Sequence, residues 1–528
     1  MAGLESGGEA KRGGSTGIEG AGRSNRTLVT VALLLAMTVG ALEQTVVSTA
    51  MPSIIATLNG LDIYPWVFSA YLLASTVTTP LYGKLADRLG RKRVLLFGLG
   101  LFALGSVLSG LARSMPELIA MRVIQGIGAG AVGPIVLTML GDLFTLEERA
   151  KVQGLFSAVW GGSSLMGPAL GGVLTDQLSW RWVFFVTAPF ALVSMWILYT
   201  QVHETIKPRD VAPIDWSGAG LLTAGSTVLL LAVLRGHSQT TAGGAFLLAA
   251  GVVLLAMFVR NEYRAADPIL PIDLLLTPNI LASVAGSFML GAILFGIDTY
   301  VPLFVQGVQG GSATTAGKVI TPLFLSWSIS VAVAARVVAP LGFRRTALFG
   351  SLLITTGVVG LVLAAISPAW TGPLFTGGMV LIGVGMGPTS LSLILDVQNS
   401  VGHNRRGTAT GVVIFSRTMG GALGVGLLGA SLGMRLAHRL ADAPQIDVRA
   451  ALRPETHSQL TPELLLTVQH ALGRSLRDVF LEMTVLAALI VVSALGLRGG
   501  RAVSHADAGR SPGHVPDPEG LRLAALEH

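Results

Sequence analysis

The sequence predicts an all-α polytopic membrane protein with fourteen transmembrane helices, from its low charge, its long apolar runs and the placement of its basic residues. Charged residues make up 12% of the 528 and hydrophobic residues 51%, with a mean hydropathy of +0.67. A soluble domain carries about 25% charged residues, so half the usual charge is missing. Fourteen apolar runs follow one another, each near the roughly 20 residues that cross about 30 Å of hydrocarbon. They cover 28–50, 66–83, 94–112, 116–140, 151–175, 182–201, 216–235, 244–261, 279–305, 315–338, 345–367, 370–396, 407–433 and 476–497. With the N-terminus in the cytoplasm, 24 of the 36 Lys and Arg residues fall on inner segments, as the positive-inside rule requires. The short outer loops then hold only Arg113, Arg181, Arg235 and Lys318. Both termini are therefore expected in the cytoplasm, with the chain in the plasma (inner) membrane of the cell.

The ends and the gaps between runs limit what else the chain can be. Residues 1–26 and 499–528 lack an apolar face and read as disordered tails. The first apolar run is long, is interrupted by Glu43 and leads into further spans, which is unlike a cleaved signal peptide. Segment 434–475 mixes polar and apolar residues and is expected to be a solvated outer connector rather than a short amphipathic helix. No loop reaches the size of a soluble catalytic domain, so an enzyme is not expected. The net charge of +7 is spread over short loops, whereas a nucleic-acid binder gathers it on one face. The absence of cysteine excludes disulfides, thiolate metal sites and a cysteine nucleophile. The expected partners are the lipid bilayer and a small-molecule substrate, with no nucleic acid, metal or cofactor. The 67 glycines have no collagen-like period and suit close packing of membrane helices.

Four motifs carry the function. Between the second and third runs stands Gly83-Lys-Leu-Ala-Asp87-Arg88-Leu-Gly90-Arg91-Lys92-Arg93-Val-Leu95. Gly83 and Gly90 suit a tight turn, the cations hold the loop inside, and Asp87 can pair with a cation or a helix N-terminus. The fourth run holds Leu118-x3-Arg122-x2-Gln125-Gly126-x-Gly128-Ala129. An arginine at a helix centre costs about 2.5–3.5 kcal/mol on insertion scales, so Arg122 should face a partner or a wet cavity. Gly126, Gly128 and Gly130 follow no strand and lie in a membrane-length run, so they are not a nucleotide loop. The fifth run holds Gly167-Pro168-Ala-Leu-Gly171-Gly172: Pro168 bends the helix and the glycines admit a close neighbour. The first run holds Leu42-Glu43-Gln-Thr-Val-Val-Ser-Thr-Ala-Met-Pro52. A lone carboxylate in a membrane helix is a functional candidate by default. Asp298 in the ninth run, near Gln306 and several aromatic residues, is the second-best carboxylate.

The first of these motifs resembles the cytoplasmic-loop signature of the major facilitator superfamily at every defining position. The Arg122 motif resembles that of its proton-coupled members, and the Gly-Pro motif that of its antiporters, with Ser163 where the pattern opens on glycine. The Glu43 motif resembles that of fourteen-helix drug:proton antiporters, with glutamate where many have aspartate. The resemblance covers roughly residues 28–497 and implies the major facilitator fold, two six-helix bundles plus two extra helices between them. It divides the chain into an N-terminal bundle (27–202), two linker helices (203–265) and a C-terminal bundle (266–498). It further implies a gate in which Asp87 locks against the helix starting near Gly407, and proton coupling through Glu43, Arg122 and Asp298. The C-terminal half should repeat the loop signature after the tenth run. Arg336-x5-Gly342-Phe343-Arg344-Arg345 stands there without the aspartate. A monomer driven by the proton gradient is implied, exporting lipophilic or cationic drugs. The alternative is a carrier of one metabolite, siderophore or lipid on the same fold.

Overall fold

The computed structural model describes residues 25–144, 146–203, 215–235, 241–265, 268–367, 371–402, 405–440 and 462–498. Among them there are helices and turns and no strand, as a lipid environment demands of an open chain: every spanning backbone group must be satisfied within its own segment. The helices of the first half are α1 (Arg26–Leu58), α2 (Pro65–Leu89), α3 (Arg91–Leu111), α4 (Met115–Leu143), α5 (Leu146–Gln177), α6 (Trp182–Phe185) and α7 (Thr187–Gln201). Helices α8 (Trp216–Arg235) and α9 (Thr241–Glu262) follow. The rest are α10 (Ile272–Leu275), α11 (Pro278–Gly307), α12 (Ala313–Leu341), α13 (Phe343–Ile366), α14 (Thr371–Asn399), α15 (Arg406–Arg439) and α16 (Pro462–Leu495). With α6 and α7 counted as one broken span, fourteen long helices match the fourteen apolar runs. Among the described residues eleven of them are long and apolar enough to cross a membrane, with α6–α7 again one span. Helix α2 is less apolar, with Ser, Thr, Pro and Tyr along it, and much of it is buried inside the protein.

Several boundaries differ from the sequence reading. The stretch Gly83–Arg93 is almost wholly helical: Gly83 lies inside α2, and the turn is Gly90 alone, at φ 93°. Only Gly90 therefore uses glycine's access to positive φ. Gly342 repeats the device between α12 and α13, at φ 81°. Segment 434–475 is not simply a connector, because α15 runs on to Arg439 and α16 starts at Pro462. The α15 extension is tied to α16 by ion pairs: Arg435 and Arg439 reach Asp478, at 3.0 and 2.5 Å, and Arg435 reaches Glu482 at 2.5 Å. Residues 441–461, like both expected tails, lie outside the described residues apart from Asn25 and Arg26.

Helices approach each other through glycine. On α4, Gly126 and Gly130 face the α2 backbone at Tyr71 and Ser75, while Gly128 faces Gly98 and Phe102 of α3. Spacings of four put Gly126 and Gly130 on one side of the helix, and Gly128 on the other. In the second half, Gly420 and Gly424 of α15 lie on Phe288 and Ala292 of α11, and Gly383 and Gly387 of α14 lie on α12. Lipid tails are as apolar as leucine, so such close van der Waals contact, rather than the hydrophobic effect, holds these helices together.

The α8–α9 hairpin sits at the side of the seam between the halves. Leu230 of α8 meets Gly426 of α15, and Ser226 lies near Met419, whereas α9 packs on α8 through Gly225 and Gly251 and turns Phe246, Val252, Val253 and Met257 outward. Asp215 caps α8: it accepts from the Gly218 N–H at 2.7 Å, from Ser217 at 2.7 Å and from Asn261 at 2.7 Å. Burial opposes its charge, but these donors outweigh burial and hold the carboxyl below its usual range. Its contribution is therefore complete at neutral pH and is lost only as pH falls through that lowered value.

Two outcomes follow. Gly128→Val should cost about 1–3 kcal/mol through overpacking, read as a lower unfolding temperature in detergent, while Gly133→Ala, with open space around it, should leave it unchanged. Asp215→Ala should remove a cap worth about 1 kcal/mol and speed hydrogen exchange in the first turn of α8 several-fold at neutral pH.

Candidate functional site

Arg122 and Glu43 meet in the interior of the first half. The Arg122 guanidinium makes an ion pair with Glu43 across α4 and α1, and the two side chains are 1% and 0% exposed. Arg122 also donates to Gln125 Oε1 at 2.7 Å and to the Val67 carbonyl at 3.1 Å. Its guanidinium carbon lies 4.1 Å from the centre of the Tyr71 ring, a cation–π arrangement. The Phe184 ring stands further off, at 5.8 Å, so the arginine that the sequence expects to need a partner has several. Glu43 Oε2 and Gln125 Nε2 are buried without a partner, so the pair leaves polar capacity free. The sequence could have suggested Gln125, which stands one helical turn from Arg122. It held no signal for Tyr71 or Val67, because α2 meets α4 only through tertiary packing.

Asp298 stands apart from that pair. It is 3% exposed on α11, with the Ser48 hydroxyl of α1 against it and its Oδ1 unpartnered. It therefore lies where the two halves touch. The nearby aromatic residues form packing rather than a cage: Phe304 stacks on Phe375 and Phe480, at 5.0 and 6.0 Å, and Tyr300 donates to the Val425 carbonyl at 2.5 Å.

The Gly-Pro motif of α5 forms a three-helix junction. Gly167 and Gly171 lie on Thr45 and Thr49 of α1, Gly172 lies on Ala313 and Thr314 of α12, and Gly317 of α12 lies on Pro168. Asp176, one turn further on, accepts from the Ala313 and Thr314 N–H groups at 3.1 and 2.9 Å. A carboxylate is well placed at the start of a helix, where the dipole is positive. Beside it, Gln306 of α11 donates to the Thr49 carbonyl at 2.9 Å, and Ser69 of α2 donates to the Ala422 carbonyl of α15 at 2.7 Å. Asp176 and Ser69 were not anticipated from the sequence.

All these inter-half contacts lie at the end of the bundle that carries the α1–α2 turn at Gly60. At the other end, which carries Gly90, Asp87 is exposed and the space around Gly407 and Gly411 of α15 is open. The expected Asp87 lock against the start of that helix is therefore not formed here. Lys92 instead binds the end of α7, donating to the Tyr199 and Val202 carbonyls at 2.7 and 2.6 Å. Asp396 accepts from Asn279 and Ser283, at 3.0 and 3.2 Å, and ties α11 to α14. The side chains of Asp142 and Arg149 lie outside the described residues.

Two helical bundles closed at one end and parted at the other, with charged groups between and within them, define a membrane transporter rather than an enzyme. The chain belongs to the major facilitator superfamily, whose family model matches residues 33–425. It is 35% identical over 447 residues to the multidrug transporter protein MdtP of Bacillus subtilis (strain 168), covering 83% of this chain and 81% of that protein. It is 32% identical over 507 residues to multidrug resistance protein 3 of the same organism, covering 92% and 98%. Its fold matches a bacterial homolog of the human lysosomal transporter Spinster, solved inward-facing and unoccupied, with a TM-score of 0.66 at 15% identity over 89% of this chain and 97% of that one. A D-xylose–proton symporter matches with a TM-score of 0.56 at 15% identity, over 87% and 97%.

The ion pair makes an asymmetric prediction. Arg122→Ala leaves Glu43 buried and alone and should cost about 3–5 kcal/mol, whereas the double change Glu43→Gln with Arg122→Gln should recover much of that loss. Unfolding midpoints in detergent decide it; equal losses in the single and double variants would show that the pair is not the unit.

Proposed function

We propose that this transporter is a proton-coupled antiporter that exports lipophilic or cationic compounds by alternating access, at the cell membrane and with both termini cytoplasmic. The observation that carries the reading is the buried Glu43–Arg122 pair with Glu43 Oε2 unpartnered. That oxygen can take a proton without displacing another hydrogen bond. Names of similar proteins, a multidrug transporter and a multidrug resistance protein, support the choice of cargo.

In this reading the Gly90 end faces the cytoplasm, because the basic residues gather there, and the structure is the inward-open state. Substrate enters between α2 and α15 and settles near Asp298. The halves then rock about the midplane, and Gly83, Asp87, Arg88, Gly90, Arg91 and Lys92 form the cytoplasmic gate of the closed state. A proton arriving from outside binds Glu43 Oε2, the ion pair with Arg122 loosens, and the substrate leaves; Asp298 serves as a second acceptor. After the return swing, the proton passes to the cytoplasm and Glu43 pairs with Arg122 again. Glycines 167, 171 and 172 with Pro168 let α5 move closely against Thr45 and Thr49 of α1 and the backbone of α12. The proton gradient supplies the energy, with no cofactor, and one chain is the working unit.

Glu43→Gln tests the coupling. In proteoliposomes with an imposed pH gradient, ethidium movement driven by that gradient should fall at least about ten-fold, the scale of a lost proton-transfer group, while the protein still reconstitutes. Undiminished gradient-driven export by the variant would sink the proton role of Glu43. A screen of dyes, drugs, lipids and metabolites then separates broad export from transport of a single compound.

A further inference from the structure

Arg417 of α15 is a second arginine at membrane depth, and its surroundings are the opposite of those of Arg122. Among the described residues it has no hydrogen bond, ion pair or ring contact. Its backbone is pressed against Gly291 in the middle of α11, which places it far from either end of both helices. The acids nearest the middle of the bundle are engaged elsewhere, Glu43 by Arg122 and Asp298 beside Ser48, while Asp396 lies at the end of α11, bound to Asn279 and Ser283.

An unpaired arginine in the interior costs several kcal/mol unless it reaches water or an anion; the residue as a whole is half-buried, and its guanidinium lies deep in the protein. The pattern of α15 shows what it reaches. Residues 411, 414, 418 and 422 recur at spacings of three and four and share one face. Ala422 touches Ser69 of the other half, whereas Gly411 and Ile414, toward the Gly90 end, are exposed. That face therefore meets α2 at one level and borders the open cleft below it. Arg417 stands three residues from Ile414 and next to Thr418, at the edge of the same face. Toward the cleft floor, α11 contributes Asp298 with its unpartnered oxygen.

We propose that Arg417 is the binding point for the anionic group of a substrate, so that the cleft accepts amphiphilic acids and zwitterions bearing a carboxylate, sulfonate or phosphate. The inference rests on the transport reading above but not on its proton step. A guanidinium offers several N–H donors in a planar fork that fits such an oxyanion, and in a cleft of low polarity the contact is stronger than in water. Apolar residues beside it, Ile414 among them, suit the rest of an amphiphile. The same chemistry is present in the head group of an anionic lipid, so both sources need an arm in the test.

The test uses two probes that share one skeleton, 8-anilinonaphthalene-1-sulfonate and N-phenyl-1-naphthylamine, which lacks the sulfonate. Their fluorescence is titrated against the full chain in phosphatidylcholine nanodiscs, with empty discs subtracted. Arg417→Gln should weaken the sulfonate on the order of ten-fold, the scale of a hydrogen bond to a charged group, and leave the neutral probe within two-fold. Arg417→Lys should restore part of the sulfonate affinity. Retained binding of the neutral probe shows that each variant is folded. Equal effects on both probes, no effect on either, or no saturable sulfonate binding by the unaltered chain would overturn the proposal. With phosphatidylglycerol added to the discs, competition that needs Arg417 assigns the anion to lipid; its absence, with sulfonate binding intact, assigns it to a soluble amphiphile. Loss of gradient-driven ethidium export in the unaltered chain would instead overturn the antiport reading and leave these binding results standing.

Discussion

The close contact of α5 with α1 and α12 is the constraint on which the rest of the arrangement depends. Gly172 and Gly317 bring the α5 and α12 backbones into direct contact, while Gly167 and Gly171 make room for Thr45 and Thr49 of α1, so the two halves come together where Asp176 can reach the first turn of α12. Once that seam and its partner between Ser69 and Ala422 are made, the helices diverge toward the Gly90 end. The open space at Gly407 and the exposure of Asp87 both follow from the same divergence. The seam combines these glycine and polar contacts with aromatic packing, the Tyr64 ring standing edge-on to Tyr300 at 6.1 Å.

The charged residues at membrane depth divide by what surrounds them. Arg122 is enclosed by Glu43, Gln125, the Val67 carbonyl and the Tyr71 ring, and its charge is offset within one half of the molecule. Asp396 is likewise satisfied by side chains of α11. Asp298 and Arg417 are not satisfied in this way. Asp298 lies where the two halves touch, and Arg417 stands on the stretch of α15 whose backbone packs against Gly291 of α11.

The two linker helices are less symmetric than their place in the chain suggests. α8 touches both α2 and α15 at the side of the seam, through Leu230 and Ser226, while α9 is mostly turned outward. The hairpin therefore flanks one of the two lines along which the halves separate, and Asp215 fixes its start. Nothing in the hydropathy of residues 216–262 distinguishes these roles.

Much of this protein was legible in the chain alone. Hydropathy sets the number of spanning helices, because burial of a backbone in lipid is decided by about 20 consecutive residues at a time. The need of Arg122 for a partner, the turn at Gly90 and the interfacial glycines of α5 were also readable, since each follows from the cost or freedom of one residue type. The differences fell where neighbours decide: Gly83 lies within a helix, and residues 434–439 and 462–475 extend α15 and α16. Tertiary structure alone chose Glu43 as the partner of Arg122, placed Tyr71 over it, set Asp298 against Ser48 and left Arg417 without a counter-charge. Between membrane helices the hydrophobic effect gives no preference for one neighbour over another. Pairing there is decided by shape and by where polar groups happen to meet, which no local pattern of residues records.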